Sequence, residues 1–492
     1  MRKLILIALV FCGLSSCKKW LEISPKSEIA SDQLFKSEQG FKDALIGSYL
    51  LMSSPNSYGF ESTIGLVDFL GQQYFVPGTT HGYYYASLYQ YDHISVIPKK
   101  DNIWSNEYNV IANLNNLLGN IDLKKEALHP AHYAYIKGES IGLRAFLHFD
   151  LYRLFGYGAF LSDPSSLQKK VIPYVTKYSK QVTPLITTAA FFDSLQHDLE
   201  QAATLLGPYD SVAVANNGLD VPNADLFYTE RKLRFNYYAV KAAQARVYLW
   251  MGEYDKAIAA AEEVITKGRK YRVNFNNGNI NDPNPVNKDY TFSTEHIFGL
   301  NVQNLYDIVR PYFQRYAADG ININYNRFNH NGTTADNLYE IATKPNMSLS
   351  DYRYKELYNK ISTTEYLLTK FTYVENSTFK DRMPLIKLPE MYYILAEAYN
   401  EKGDQATAIN HLNTVRTNRG IASTYILPNT LTHDQVKAEI EREYRKEFVS
   451  EGQLFYYYKR LGATTIPGTS RAMGHSVYAL PLPENEINMG GR

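Results

Sequence analysis

The stretch Met391–Gly420, MYYILAEAYNEKGDQATAINHLNTVRTNRG, decides the fold. Tyr392, Leu395, Ala396 and Tyr399 fall at i, i+3, i+4 and i+7, which is one apolar face of a helix. Gly403-Asp404 supplies a turn and a capping side chain. Ala408, Leu412 and Val415 then give a second apolar face. The spacing predicts a helical hairpin with small residues where its two backbones approach.

A second hairpin of the same kind spans Tyr238–Lys267. Around Gly252 stand Ala245, Tyr248, Ala257 and Ile258, at the offsets that Ala396, Tyr399, Ala408 and Ile409 hold around Gly403. Each copy resembles a tetratricopeptide unit. The copies lie far apart, so the array is not tandem. The predicted fold is mostly α, a tetratricopeptide-like hairpin scaffold with long irregular loop insertions and a few short strands. Insertions in such scaffolds tend to gather on one face and carry binding.

The 492 residues divide into a leader at 1–16, an N-terminal helical region at 17–230 and a C-terminal region with the hairpins at 231–492, closing one compact unit. A formal net charge of +1 gives no basic patch for nucleic acid or a membrane surface. Tyrosine is abundant, with 42 residues against 3 Trp, and suits surfaces where an apolar ring keeps one wet end.

Arg2 and Lys3 precede an apolar run from Leu4 to Leu14, of signal-peptide length and too short to cross a bilayer as a helix. It ends in Leu14-Ser15-Ser16-Cys17, which resembles a bacterial lipobox, so Cys17 is the expected lipidation site. The other cysteine, Cys12, lies within the leader. A mature chain with lipid on Cys17 would hold no disulfide, thiolate zinc site or thiol nucleophile.

In chain order, Phe41, Leu45 and Tyr49 share a helix face, and Leu50–Pro98 is a long loop region without a sustained period. Helices are predicted over Asn102–Leu118, His132–Phe155 and Phe191–Leu206. Asn274–Tyr352 is polar and rich in Asn and Tyr, with a strand expected at His296–Leu300. An acid-base helix follows at His433–Gly452, and the prolines after Tyr478 exclude a helix there.

Ordered motifs along the chain resemble the SusD/RagB family of surface lipoproteins. They begin with Cys17 followed by Trp20-Leu21-Glu22, then Gly40-Phe41 with Gly47-Ser48-Tyr49. Gly138-Glu139, Leu143-Arg144-Ala145-Phe146 and Leu154-Phe155-Gly156 come next. Asp351-Tyr352-Arg353, Leu385-Ile386-Lys387-Leu388 and Ala396-Glu397-Ala398 follow. Asn413-x-Val415-Arg416 and Glu447-Phe448-x-x-Glu451-Gly452 complete the series. Lys387 stands where the family carries Arg. The resemblance implies a lipid-anchored protein facing outward on a Gram-negative outer membrane. It also implies a TonB-dependent SusC-like barrel as the partner to which captured nutrient, usually a glycan, is delivered.

Gly138-Glu139-Ser140-Ile141-Gly142 spells a nucleophile elbow but lies in a helical pattern, without the strand-turn-helix that the motif needs. Glu390 and Glu397 share a helix face, and such a pair could serve glycoside hydrolysis; pairing of Glu397 with an arginine is the expected alternative. His129 and His132 have no acidic or cysteine neighbour in sequence, so no metal site is expected. The run Glu441–Glu447 reads as a solvated face with i, i+4 pairs.

Aromatic rings cover the C–H face of a sugar while Asn, Asp, Arg and Tyr hydroxyls meet its hydroxyl groups. Two insertions hold that mixture. The first has Tyr74, Tyr83, Tyr84, Tyr85 and Tyr89 with Asp68 and Asp92. The second has Tyr306, Tyr312, Tyr316, Tyr325 and Phe328 with Asn322, Asn324 and Arg327. The residues expected to touch ligand are Asp68, Tyr74, Tyr83, Tyr84, Tyr85, Tyr306, Tyr312, Tyr325 and Arg327. The leading expectation is a non-enzymatic glycan-capture protein without cofactor. A helical glycoside hydrolase and a peptide-binding or docking lipoprotein are the alternatives.

Overall fold

The computed structural model describes residues 31–491, apart from 32, 77, 159–160, 214–224, 230, 270–272, 276–277, 314–328, 361–364 and 372–375. The leader and Cys17 lie outside the described residues. Among those described, no helix is long and apolar enough to cross a membrane.

The N-terminal half is a stack of helices: α1 (Glu38–Met52), a short α2 (Leu66–Leu70), α3 (Ile97–Ile121), α4 (Pro130–Phe155) and α5 (Thr188–Leu206). Ser37 starts α1 by accepting a hydrogen bond from the Gly40 amide, and Phe41, Leu45 and Tyr49 turn into the core as their spacing predicts. α4 is buried on nearly all sides, because α3 and α5 both pack against it. Its Gly138 sits where a side chain would meet Leu206 of α5 at 2.8 Å, and Gly142 where one would meet the Phe235 ring at 2.7 Å. The Ser140 hydroxyl donates back to the Ile136 carbonyl at 2.7 Å. The Gly-x-Ser-x-Gly spelling therefore marks a close helix crossing.

The C-terminal half holds both hairpins. They are α6 (Tyr237–Met251) with α7 (Tyr254–Gly268), and, after the insertion, α9 (Leu388–Glu401) with α10 (Gln405–Asn418). Gly252 and Gly403 turn them in the left-handed region, at φ 73° and 84°. Far apart in sequence, the hairpins are neighbours in space, with α7 packed on α9. Tyr399 donates to Glu262 across this contact at 3.1 Å, and Arg246 of α6 clasps Glu390 of α9 at 2.6 and 2.7 Å. The two units stack as adjacent repeats do.

Between the hairpins, β1 (His296–Asn301) pairs antiparallel with β5 (Arg382–Lys387), so the strand expected from the sequence is present. The intervening α8 (Leu305–Phe313) belongs to the second insertion. Strands β2 (Asn329–Asn331), β3 (Tyr358–Lys360) and β4 (Glu365–Leu368) form a small sheet in the order β2-β4-β3. After the hairpins come α11 (His433–Glu447), α12 (Leu454–Leu461) and a terminal α13 (Glu484–Gly490).

The acid-base helix corrects the reading of a solvated face. Glu443, Tyr444, Lys446 and Glu447 are buried. Glu447 contacts Arg419 at 2.8 Å, Lys387 at 2.9 Å and Arg353 at 3.2 Å. Glu443 pairs with Arg353 at 2.9 Å and Arg416 at 3.2 Å. Glu451 lies 2.7 Å from Lys387 and also pairs with Lys370. Every charged residue in the motifs from Glu139 onward belongs to a buried pair, including Arg144 with Asp198, Glu139 with Arg231 and Glu397 with Arg460. Those motifs therefore specify the interior, where each ion is compensated, most by a partner from a distant element and Asp351 by Arg353 of its own motif.

Candidate functional site

The first insertion has an inward and an outward set of aromatic residues. Asp68, on α2, is fully buried and accepts from the amides of Ser450 and Gly452, the latter at 2.8 Å. Burial pushes its carboxyl up to about 8, against the pull of those two amides. Tyr74 packs on Phe69 and shares a hydrogen bond with the Ser450 hydroxyl at 2.8 Å. Tyr83 stacks on Phe69 at 4.3 Å, donates to Glu61 at 2.9 Å and is 5% exposed. The structure therefore places Asp68, Tyr74 and Tyr83 on the inward side of the insertion. Asp68 and Tyr74 pin the insertion to the turn after α11, Tyr83 braces it from within through Glu61 and Phe69, and all three are buried.

Tyr84 and Tyr85 face the other way. They open a short helical turn, Tyr84–Ser87, on which only Ala86 is buried. Their rings meet edge to face at 5.2 Å, and Tyr85 stacks on His93 at 3.4 Å. Both rings are half-buried, and neither hydroxyl has a hydrogen-bond partner among the described residues. His93 in turn lines a cleft of about 590 Å³ together with Gln90, Asp92, Arg471 and Ser476. Arg471 donates to the Leu88 carbonyl at 3.0 Å, which ties the C-terminal tail to this loop. Tyr89 also lines the cleft, but its hydroxyl is taken by the Leu70 carbonyl at 3.0 Å. The set combines flat rings with amide, carboxylate, imidazole and guanidinium groups, which is chemistry for a polyhydroxylated ligand.

The second insertion meets the first at α8. Tyr312 is half-buried against Phe60, with ring centroids 4.9 Å apart. Burial and then the Glu61 carboxylate raise its hydroxyl pKa. Tyr306 is also half-buried, with Arg310 at 5.9 Å from its ring. Tyr325 and Arg327 lie outside the described residues. His93, Gln90 and Arg471 were not singled out from sequence. The long period-free loop hid the first two, and nothing local ties Arg471 to a site some 380 residues earlier.

Other candidate chemistry resolves into structure. Arg246 clamps Glu390 and Arg460 clamps Glu397, so the two carboxylates that hydrolysis would need are held in separate buried ion pairs. His129 caps α4 by accepting from the Ala131 amide. His132 stacks on Tyr228 at 4.0 Å and lies 2.8 Å from Glu38, an acidic partner that the sequence did not place beside it. Among the described residues, no group of three or more His, Cys, Asp or Glu side chains could hold a metal ion.

Comparison with known proteins follows the same plan. The pattern described as the SusD family matches residues 245–476, and one described as starch-binding, associating with the outer membrane, matches 19–217. The SusD-like protein P38 of Formosa agariphila is 24% identical over 488 residues, covering 89% of this chain and 87% of that protein. A SusD superfamily protein from Bacteroides vulgatus superposes with a TM-score of 0.70 at 20% identity, covering 93% of this chain and 98% of its own. A SusD-like carbohydrate binding protein from the same species gives 0.66 at 18% identity, covering 92% and 97%. With one family pattern over each half and the family's fold followed through more than nine-tenths of its length, the chain belongs to the SusD/RagB family.

Proposed function

We propose that this protein captures a glycan at the outward aromatic set of the first insertion and delivers it to a SusC-like, TonB-dependent barrel in the outer membrane. The observation that carries the reading is the pair Tyr84 and Tyr85. Their rings are accessible and their hydroxyls have no partner among the described residues, beside a cleft that holds Asp92, His93 and Arg471. The family's description as starch-binding and associated with the outer membrane supports it. Tyr306, Tyr312, Tyr325 and Arg327 of the second insertion are further ligand contacts in this proposal. Lipid on Cys17 holds the chain at the membrane, and uptake is driven by the barrel, so capture requires neither cofactor nor turnover.

Affinity electrophoresis tests this reading. The mature chain, run through native gels that contain soluble starch, β-glucan, mannan or xylan, is expected to be retarded by one of them. The double variant Tyr84→Ala/Tyr85→Ala should run unretarded while keeping its fold. Retardation by none of the four, or equal retardation of the variant, would count against the reading.

A further inference from the structure

A second and larger cavity, of about 650 Å³, lies between the start of α3, the strap at 173–183 and α13. Trp104 and Tyr108, one turn apart on α3, contribute its aromatic wall. Their rings are 4.7 Å apart, and the Trp104 ring is braced edge-on by Phe155 at 4.9 Å. Tyr108 donates to the Pro173 carbonyl at 2.8 Å, and Asn115 donates to the Val175 carbonyl at 2.9 Å. The Val175 amide donates to His148 at 2.9 Å, and the Val171 amide to Ile186 at 2.9 Å. The strap is therefore fixed at its base, whereas its tip, Ser179–Val182, is exposed.

The chemistry of the lining is specific. Trp104 is 5% exposed, yet its indole N–H has no hydrogen-bond partner among the described residues. The N–H keeps access to solvent, so a ligand hydroxyl entering the cavity can accept from it in place of water. The rim holds the uncharged amides and hydroxyls of Asn102, Ser105, Ser179, Gln181 and Asn485, with Lys180 and Glu486 beside them. Asp101 is already matched by Lys100 at 2.6 Å. An apolar floor ringed mostly by neutral hydrogen-bonding groups matches the C–H face and hydroxyl groups of a sugar. Both cavities also lie along one segment of the tail. Residues from Arg471 to Pro481 line the first, and Pro483 to Gly490 line the second.

We infer that the Trp104–Tyr108 cavity is a second carbohydrate site, which takes a neutral oligosaccharide independently of the Tyr84–Tyr85 surface. The inference rests on the glycan-capture reading and extends it to a second position. A polysaccharide long enough to reach both would bind by avidity, with an affinity above that of its short fragments.

Trp104 is itself the reporter, because the chain has 3 tryptophans and Trp250 is buried elsewhere. Intrinsic fluorescence of the mature chain is followed during titration with maltoheptaose and with β-gluco-, manno- and xylo-oligosaccharides. One of these should give a saturable change. That change should vanish in Trp104→Phe and weaken at least tenfold in Ser105→Arg/Asn485→Arg, two exposed positions whose enlarged side chains occupy the cavity. It should persist in Tyr84→Ala/Tyr85→Ala. Retardation in gels without any Trp104 response would overturn the second site and leave glycan capture standing. Absence of both retardation and response would overturn the two together. A Trp104 response to peptides and to none of the sugars would overturn the assigned ligand class.

Discussion

Glu447 touches Arg419, Lys387 and Arg353 at once, and all four side chains are buried. Removing it leaves three cations without their shared counter-ion. Glu447→Ala should cost about 3–5 kcal/mol in chemical unfolding, the range for breaking a buried pair from one side. A loss below about 1 kcal/mol would show that the cluster is not holding the interior. Glu443 adds a pH dependence. Burial alone would raise its pKa, but Arg353, Lys446 and Arg416 hold the carboxyl well below its ordinary 4.5. Its contribution is fully present above 4.5 and is lost as pH falls, because the unfolded chain then binds a proton that the folded one does not. Urea midpoints should therefore fall more steeply between about pH 4.5 and 2 for the parent than for Glu443→Gln. Parallel curves would contradict the assignment. The alternating charges of Glu441–Glu447 gave no hint of this, since burial is decided by partners such as Arg353 and Lys387, far along the chain. The same limit applies to Tyr83 and Tyr84, adjacent in sequence, of which one is a core ring and the other half-exposed.

Periodicity made the hairpins legible, because α6, α7, α9 and α10 each repeat small and apolar residues at helical spacing and each pair turns at a glycine. Their stacking was not legible, since it depends on the path of the chain between them. The helix read over His433–Gly452 ends at Glu447 for a related reason. Ser450 and Gly452 take left-handed conformations, at φ 64° and 67°, and their amides close on Asp68 of the first insertion. That clasp joins residues about 380 apart. A side chain at Gly452 would meet the Ser62 carbonyl oxygen at 2.5 Å. Gly452→Ala should therefore destabilise by about 2–4 kcal/mol, adding backbone strain to a clash that no rotamer relieves. Limited proteolysis should then cut first within Leu50–Pro98. Unchanged stability would mean that the insertion does not depend on this turn.

At the scale of the molecule, the family motifs describe the packed interior, and the proposed binding surface lies in insertions that have no motif. This is why family membership could be read from the sequence while individual ligand contacts could not. Asp68, Tyr74 and Tyr83 had the right residue types, but the fold uses them internally. Gln90, His93 and Arg471 reach the cleft only through the fold. Changing Tyr83 to Ala should therefore lower stability by about 3–5 kcal/mol, as for other buried aromatics. Changing Tyr84 and Tyr85 together, both half-buried, should cost less, about 1–3 kcal/mol, and leave the chain folded. The central claim is tested most directly by calorimetric titration of the mature chain with the polysaccharide that retards it, alongside Tyr84→Ala/Tyr85→Ala. Glycan capture at this surface predicts saturable heat, with affinity lost by roughly tenfold or more, about 1.4 kcal/mol, in a variant that still unfolds cooperatively. Equal affinity in a folded variant would contradict the placement of the site, and absence of heat with every glycan would contradict capture itself.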